Sequence, residues 1–207
     1  VNPANWSVVN DYLSNLAVAD ICQDPTNSNI MYFCTGESYY NSDAVAGVGV
    51  FKSTDHGATW GLLSSTTLYT QCTRILCDYL GNVYLGTRGY GLLRSTNGGT
   101  TWTAITPSVM AADICDMEIS STTAAGRLHV VSGIFSTQMY RFTDAPETVS
   151  PTSGWTAPTT AFPSYSMRAE IACSGNVLFA APANSSYQVP TIYKSTDGGA
   201  NWSAVAS

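Results

Sequence analysis

The stretch Lys52-Ser53-Thr54-Asp55-His56-Gly57-Ala58-Thr59-Trp60 recurs as Arg94-Ser95-Thr96-Asn97-Gly98-Gly99-Thr100-Thr101-Trp102 and again as Lys194-Ser195-Thr196-Asp197-Gly198-Gly199-Ala200-Asn201-Trp202. All three fit Ser-x-(Asp/Asn)-x-Gly-x-x-Trp behind a cation. This is the chemistry of a tight hairpin. The carboxylate or amide accepts hydrogen bonds from backbone N–H groups of its own turn, Gly57, Gly98 or Gly198 supplies a positive φ, and the indole packs back over the turn. The framework is therefore Ser53, Asp55, Gly57 and Trp60; Ser95, Asn97, Gly99 and Trp102; and Ser195, Asp197, Gly199 and Trp202. These residues read as a structural clip.

Working outward, a degenerate copy runs from Arg141-Phe142-Thr143-Asp144 to Gly154-Trp155, with Arg141 in the cation slot, and Ala4-Asn5-Trp6-Ser7 matches the tail of the last copy. Every tryptophan is thereby used, at intervals of 54, 42, 53 and 47 residues, the length of one four-stranded propeller blade. A second hairpin precedes each clip: Val18 to Cys22 with Ile30 to Phe33, Thr73 to Cys77 with Val83 to Gly86, Asp113 to Ile119 with Leu128 to Val131, and Glu170 to Cys173 with Val177 to Ala180. Each unit thus reads strand A, turn, strand B, loop, strand C, clip, strand D. The expected fold is all-β, a single β-propeller of four-stranded antiparallel blades over residues 7–60, 61–102, 103–155 and 156–202, with 1–6 ending a preceding blade. Four blades that start and stop within a repeat would leave strand edges bare, so the expectation is part of a larger propeller.

The clip pattern resembles the Asp-box (BNR) repeat family, which includes sialidases, xyloglucan-degrading propeller hydrolases and sortilin-type receptor ectodomains. The resemblance implies a ligand face built by the B–C and D–A loops, opposite the clips. It does not select an activity, because enzymes, receptors and assembly factors share the motif.

Composition narrows the partners. Only 11% of residues are charged, the net charge is -6, and no basic run exists, which argues against nucleic acid. No apolar stretch reaches the ~18 residues of a helical membrane span. Six cysteines (Cys22, Cys34, Cys72, Cys77, Cys115, Cys173) show no CxxC or Cys/His cluster; they read as small buried hydrophobes, and no metal or cofactor is expected. The glycine-rich Thr87 to Gly91 opens no helix and fails as a dinucleotide site. His56 and His129 have no nucleophile motif beside them.

The loop face selects Glu37, Tyr39, Tyr40, Asn41 and Asp43 from the first B–C loop, Arg88 and Tyr90 from the second, Phe135 and Gln138 from the third, and Tyr187 with Gln188 from the fourth; the leading ligand contacts among them are Glu37, Tyr39, Tyr40, Arg88, Tyr90 and Tyr187. Tyrosines beside carboxylates and amides suit sugars, the ring stacking on a pyranose while polar groups take its hydroxyls. A glycosidase needs two carboxylates about 5 to 10 Å apart, for which Glu37 and Asp43 are the candidates. Asp20, Asp113 and Glu170 each precede an Ile on strand A, so they read as a structural ring near the channel mouth. The Phe/Tyr-Arg-Ile-Pro signature of sialidases is absent. The expected function is a secreted or cell-surface, non-catalytic module binding glycan or protein, within a longer chain or assembly. The alternatives are part of a xyloglucanase-like glycoside hydrolase and an assembly or scaffold factor.

Overall fold

The computed structural model describes residues 15, 17–38 and 43–205; the Trp6 clip tail lies outside them. Four antiparallel sheets follow one another along the chain. The first holds β1 (Val18–Gln23), β2 (Met31–Thr35), β3 (Val50–Ser53) and β4 (Gly61–Leu62), the second β5 (Cys72–Cys77), β6 (Val83–Thr87), β7 (Leu92–Ser95) and β8 (Thr103–Ala104). The third holds β9 (Ile114–Ser120), β10 (Arg127–Ser132) and β11 (Met139–Thr143), its fourth strand reduced to a bridge between Phe142 and Thr156. The last holds β12 (Ala169–Ser174), β13 (Val177–Pro182), β14 (Tyr193–Ser195) and β15 (Ser203–Ala204). In every sheet the strands lie side by side in chain order, as a repeat of A–B–C–D meanders requires. The outermost strand begins at the residue after each clip tryptophan.

The three clips share one geometry. Ser Oγ donates to the carboxylate or amide oxygen two residues on (2.8, 3.0 and 2.8 Å) and accepts the N–H of the glycine four residues on (2.8, 2.8 and 2.9 Å). The same Oδ1 accepts the N–H of Thr59, Thr101 or Asn201. Hydrogen bonds from the Thr59 hydroxyl and the Asn201 amide hold the Asp55 and Asp197 carboxyls down at about 2. Two consecutive residues turn left-handed, Gly98 and Gly99 or Gly198 and Gly199, but in the first clip the pair is His56 (φ +57°) and Gly57. At Gly199 a side chain is also excluded by space, because a Cβ would meet the Tyr140 hydroxyl.

Each of the three buried clusters spans two neighbouring blades. Tyr32, Cys34, Ile75 and Leu85 are buried between the first two blades, Tyr84, Leu92, Met117 and Val130 between the next two, and Val131, Tyr140, Phe162, Leu178 and Trp202 between the last two. Trp202 donates Nε1–H to Gly199 of its own clip and sets its ring edge-on against Tyr140 of the preceding blade, 5.3 Å between centroids. The cations before the first two clips reach forward, whereas Lys194 lies over the Phe179 ring of its own sheet. Lys52 Nζ donates to the Gly98 carbonyl in the second clip (3.0 Å), and Arg94 donates to the Pro146 and Val149 carbonyls at the degenerate third (2.7 and 3.1 Å).

Arg141 does not fill that slot in the third blade. It lies opposite Val130 and hydrogen-bonds the Tyr140 carbonyl, whereas Lys52 and Arg94 lie opposite Tyr32 and Tyr84. That one-residue offset turns a strand residue to the other face. The equivalent position is Phe142, opposite His129. Arg127 supplies the charge instead, 4.7 Å over the Phe142 ring and donating to the Gly198 carbonyl at 2.9 Å.

His129 is fully buried, with one ring nitrogen 2.8 Å from Ser120 Oγ and the other 2.7 Å from the Tyr140 hydroxyl. Burial holds its pKa down at about 3. Below about pH 6.5 the unfolded chain therefore binds a proton that the folded chain refuses, and stability falls with pH toward 3. Between about pH 7 and about pH 4 the wild type should lose ~3 kcal/mol more than a His129→Gln variant, read by urea unfolding at both values. Replacing left-handed His56 by Gly should raise stability by ~0.5–1 kcal/mol in the same assay.

Candidate functional site

The two ends of the sheets differ in what they present. At one end the clips hydrogen-bond the A–B turns, His56 N–H to Asn29 and Gly198 N–H to Asn176. At the other the B–C loops are tied to the D–A loops: Arg88 N–H to Gln71, Gly89 N–H to Ala112, Phe135 N–H to Met167 and Ala183 N–H to Arg168. The loop face and the clip face are therefore opposite, and the loop face carries the concave chemistry.

A cleft of about 500 Å³ lies between the loops of the last two blades and is lined by Phe135, Met167, Arg168, Glu170, Tyr187 and Val189 among others. Phe135 and Tyr187 are large, exposed (45% and 77%) and left-handed at φ +53° and +60°. Three non-glycine residues among those described have positive φ, and two of them wall this cleft. Such a backbone costs of order 1 kcal/mol or more for a side chain with Cβ, and here local bonds hold it. Asn184 Oδ1 accepts the Ser186 and Gln188 N–H groups while Tyr187 N–H donates to the Asn184 carbonyl. Arg168 Nε lies 3.8 Å from Glu170 Oε1, both side chains about half exposed. The result is two aromatic walls over a charged, hydrogen-bonding base.

The remaining expected contacts are dispersed. Glu37 turns its carboxylate to the Val45 N–H of its own loop (3.2 Å), and Asp43 is exposed on that loop. Tyr39, Tyr40 and Asn41 lie outside the described residues. Arg88 is half-buried beside exposed Tyr90, whose ring meets Tyr69 edge-on at 5.3 Å. Gln138 is buried, contrary to its expected place among the ligand contacts; its amide joins the Ala183 carbonyl and the Tyr165 N–H, bracing one loop against the next. Met167 and Arg168 were not among the expected contacts, since D–A loop residues carry no motif.

The acidic ring also differs from its sequence alignment. Asp20, Arg74, Asp116 and Glu170 share one register on the innermost strands, because bulges in β1, β5 and β9 add a residue before each of the first three. Asp113 instead lies ahead of β9 and accepts the Gly89 N–H. Arg74 pairs with Asp116 (2.6 Å), Glu118 (2.9 Å) and Asp20 (3.7 Å). Asp20 and Asp116 each accept two backbone N–H groups, one from the next blade: Ile75 at 2.9 Å and Ile171 at 2.7 Å. Burial pushes the Asp116 carboxyl up to about 7 against the pull of Arg74, and burial raises Glu118 as well. With its oxygens engaged by two N–H groups and a guanidinium, Asp116 joins blades and offers nothing to a ligand.

By sequence, the chain matches no protein-family model and no curated protein. By structure it resembles an ancestral GH74 enzyme (TM-score 0.62, 17% identity, 93% of this chain and 24% of that one). It also resembles the GH74 xyloglucanase of Xanthomonas campestris (0.58, 13%, 92% and 38%). A third likeness is to the extracellular domain of a putative one-component system of B. thetaiotaomicron (0.59, 11%, 96% and 23%). The chain folds as a β-propeller. It spans between about a quarter and two-fifths of the length of these three proteins, and at such identities the likeness concerns the propeller fold alone.

Arg74→Gln should destabilise the propeller by ~2–3 kcal/mol in chemical denaturation. That is below the usual cost of stranding a buried charge because the Arg74 side chain is 31% exposed.

Proposed function

We propose that this chain is a non-catalytic glycan-binding part of a secreted or cell-surface propeller, with the Phe135–Tyr187 cleft as its sugar site. The observation that carries the reading is the pair of strained, exposed aromatic rings over the Arg168–Glu170 base. A pyranose presents apolar C–H faces to stack on such rings and hydroxyls to bond a guanidinium and a carboxylate. Strain kept at an exposed ring is a mark of function more than of packing. The low charge content and the extracellular setting of one similar structure favour secretion.

The competing reading is one portion of a glycoside hydrolase, favoured by the likeness to GH74 enzymes of greater length. Polysaccharide turnover by the longer chain, lost in Glu37→Gln or Asp43→Asn, would establish it.

A glycan array followed by titration calorimetry tests the binding reading. Asn tolerates left-handed backbone, so Phe135→Asn and Tyr187→Asn remove the rings while keeping the loops. Each should weaken binding about tenfold, the worth of one stacking contact. Absence of any oligosaccharide ligand, or affinity indifferent to the double variant, rejects the sugar site.

A further inference from the structure

The cysteines belong neither to the clips nor to the cleft, yet they are not scattered. Cys22 on β1 and Cys77 on β5 face one another between the first two blades, Sγ to Sγ 3.7 Å. Their strands share no ladder, since β1 pairs with β2 and β5 with β6, so side chains alone join the blades at this level. Both thiols open on a cleft of about 300 Å³ at the inner edge of the blades, beside Gln23, Pro25 and Tyr79. A second pair, Cys34 and Cys72, spans the same interface but is sealed: both are fully buried, and the Cys72 thiol donates to the Tyr69 carbonyl at 3.4 Å.

We propose that Cys22 and Cys77 are a cross-linking site, forming an inter-blade disulfide when a small-molecule disulfide such as oxidised glutathione serves as oxidant. A disulfide needs its sulfurs at about 2.05 Å, so the pair, at 3.7 Å, must close by less than 2 Å. Access separates the two pairs, because exchange requires the attacking sulfur and the incoming disulfide to meet. Either sulfur can open the exchange, the other then resolving it. The first, as its thiolate, breaks the oxidant's S–S bond and expels one glutathione thiolate. The second then loses its proton to solvent and displaces the other glutathione from the first. Two S–H bonds are lost, one S–S bond forms, and one oxidised glutathione becomes two reduced ones. The bond closes a loop between residues 55 apart, long enough for a substantial restriction of the unfolded chain.

The test starts from fully reduced protein equilibrated with oxidised glutathione and digested without reductant. The intact mass should fall by two hydrogens, the linked peptides should map to Cys22 and Cys77, Cys34 and Cys72 should stay reduced, and Tm should rise by about 5 °C or more. Cys22→Ser and Cys77→Ser should each remove the cross-link and the rise in Tm. Alkylation of the wild type needs no variant, since oxidation must protect Cys22 and Cys77 together. An unchanged mass, a persistent glutathione adduct on either cysteine, or a link mapped to Cys34 and Cys72 overturns the proposal.

Discussion

A sheet of four short strands has two faces and no way to bury either by itself, so contact between neighbouring blades is the constraint on which the rest of this structure depends. Three kinds of bond enforce it at three radii. Innermost, Asp20 and Asp116 take an N–H from the next blade while Arg74 ties their strands together. At mid-radius lie the buried side chains of the three inter-blade clusters. At the clip end, a cation from one blade meets a carbonyl of the next blade's turn. The clip therefore shapes its own hairpin and also presents an acceptor to the blade before it.

The repeat was legible because its chemistry is local. Ser53, Asp55 and Gly57 bond to one another within a few residues, so the motif survives as a contiguous word. The four A–B hairpins were legible for the same reason. What the sequence concealed was register. The bulges ahead of Asp20, Arg74 and Asp116 shift partners by one residue, and an alignment on Asp-Ile selected Asp113 where the fold uses Asp116. Arg141 misled in the same way, since one residue separates the two faces of a strand.

The candidate site was half legible. Phe135 and Tyr187 stand out as exposed aromatics in B–C loops, but nothing local foretells that two loops far apart in sequence converge on one cleft. Nor does composition announce that both backbones are left-handed. Arg168 and Met167 come from a D–A loop whose path is fixed by the blades on either side, through bonds such as Phe135 N–H to Met167. Gln138 shows the reverse error: a polar side chain in a loop looks available for ligand, and here it is consumed in holding two loops in place.

The third blade keeps its forward contact although its clip is degenerate. Arg127, from a neighbouring strand, delivers the charge that Phe142 cannot, and it lands on the same Gly198 carbonyl that a lysine before the clip would seek. The neighbouring blade needs a charge at that carbonyl, whichever strand supplies it. A blade can thus lose its recognisable signature while its neighbours feel no difference, and repeats counted by motif alone will understate how many blades a chain of this kind contains.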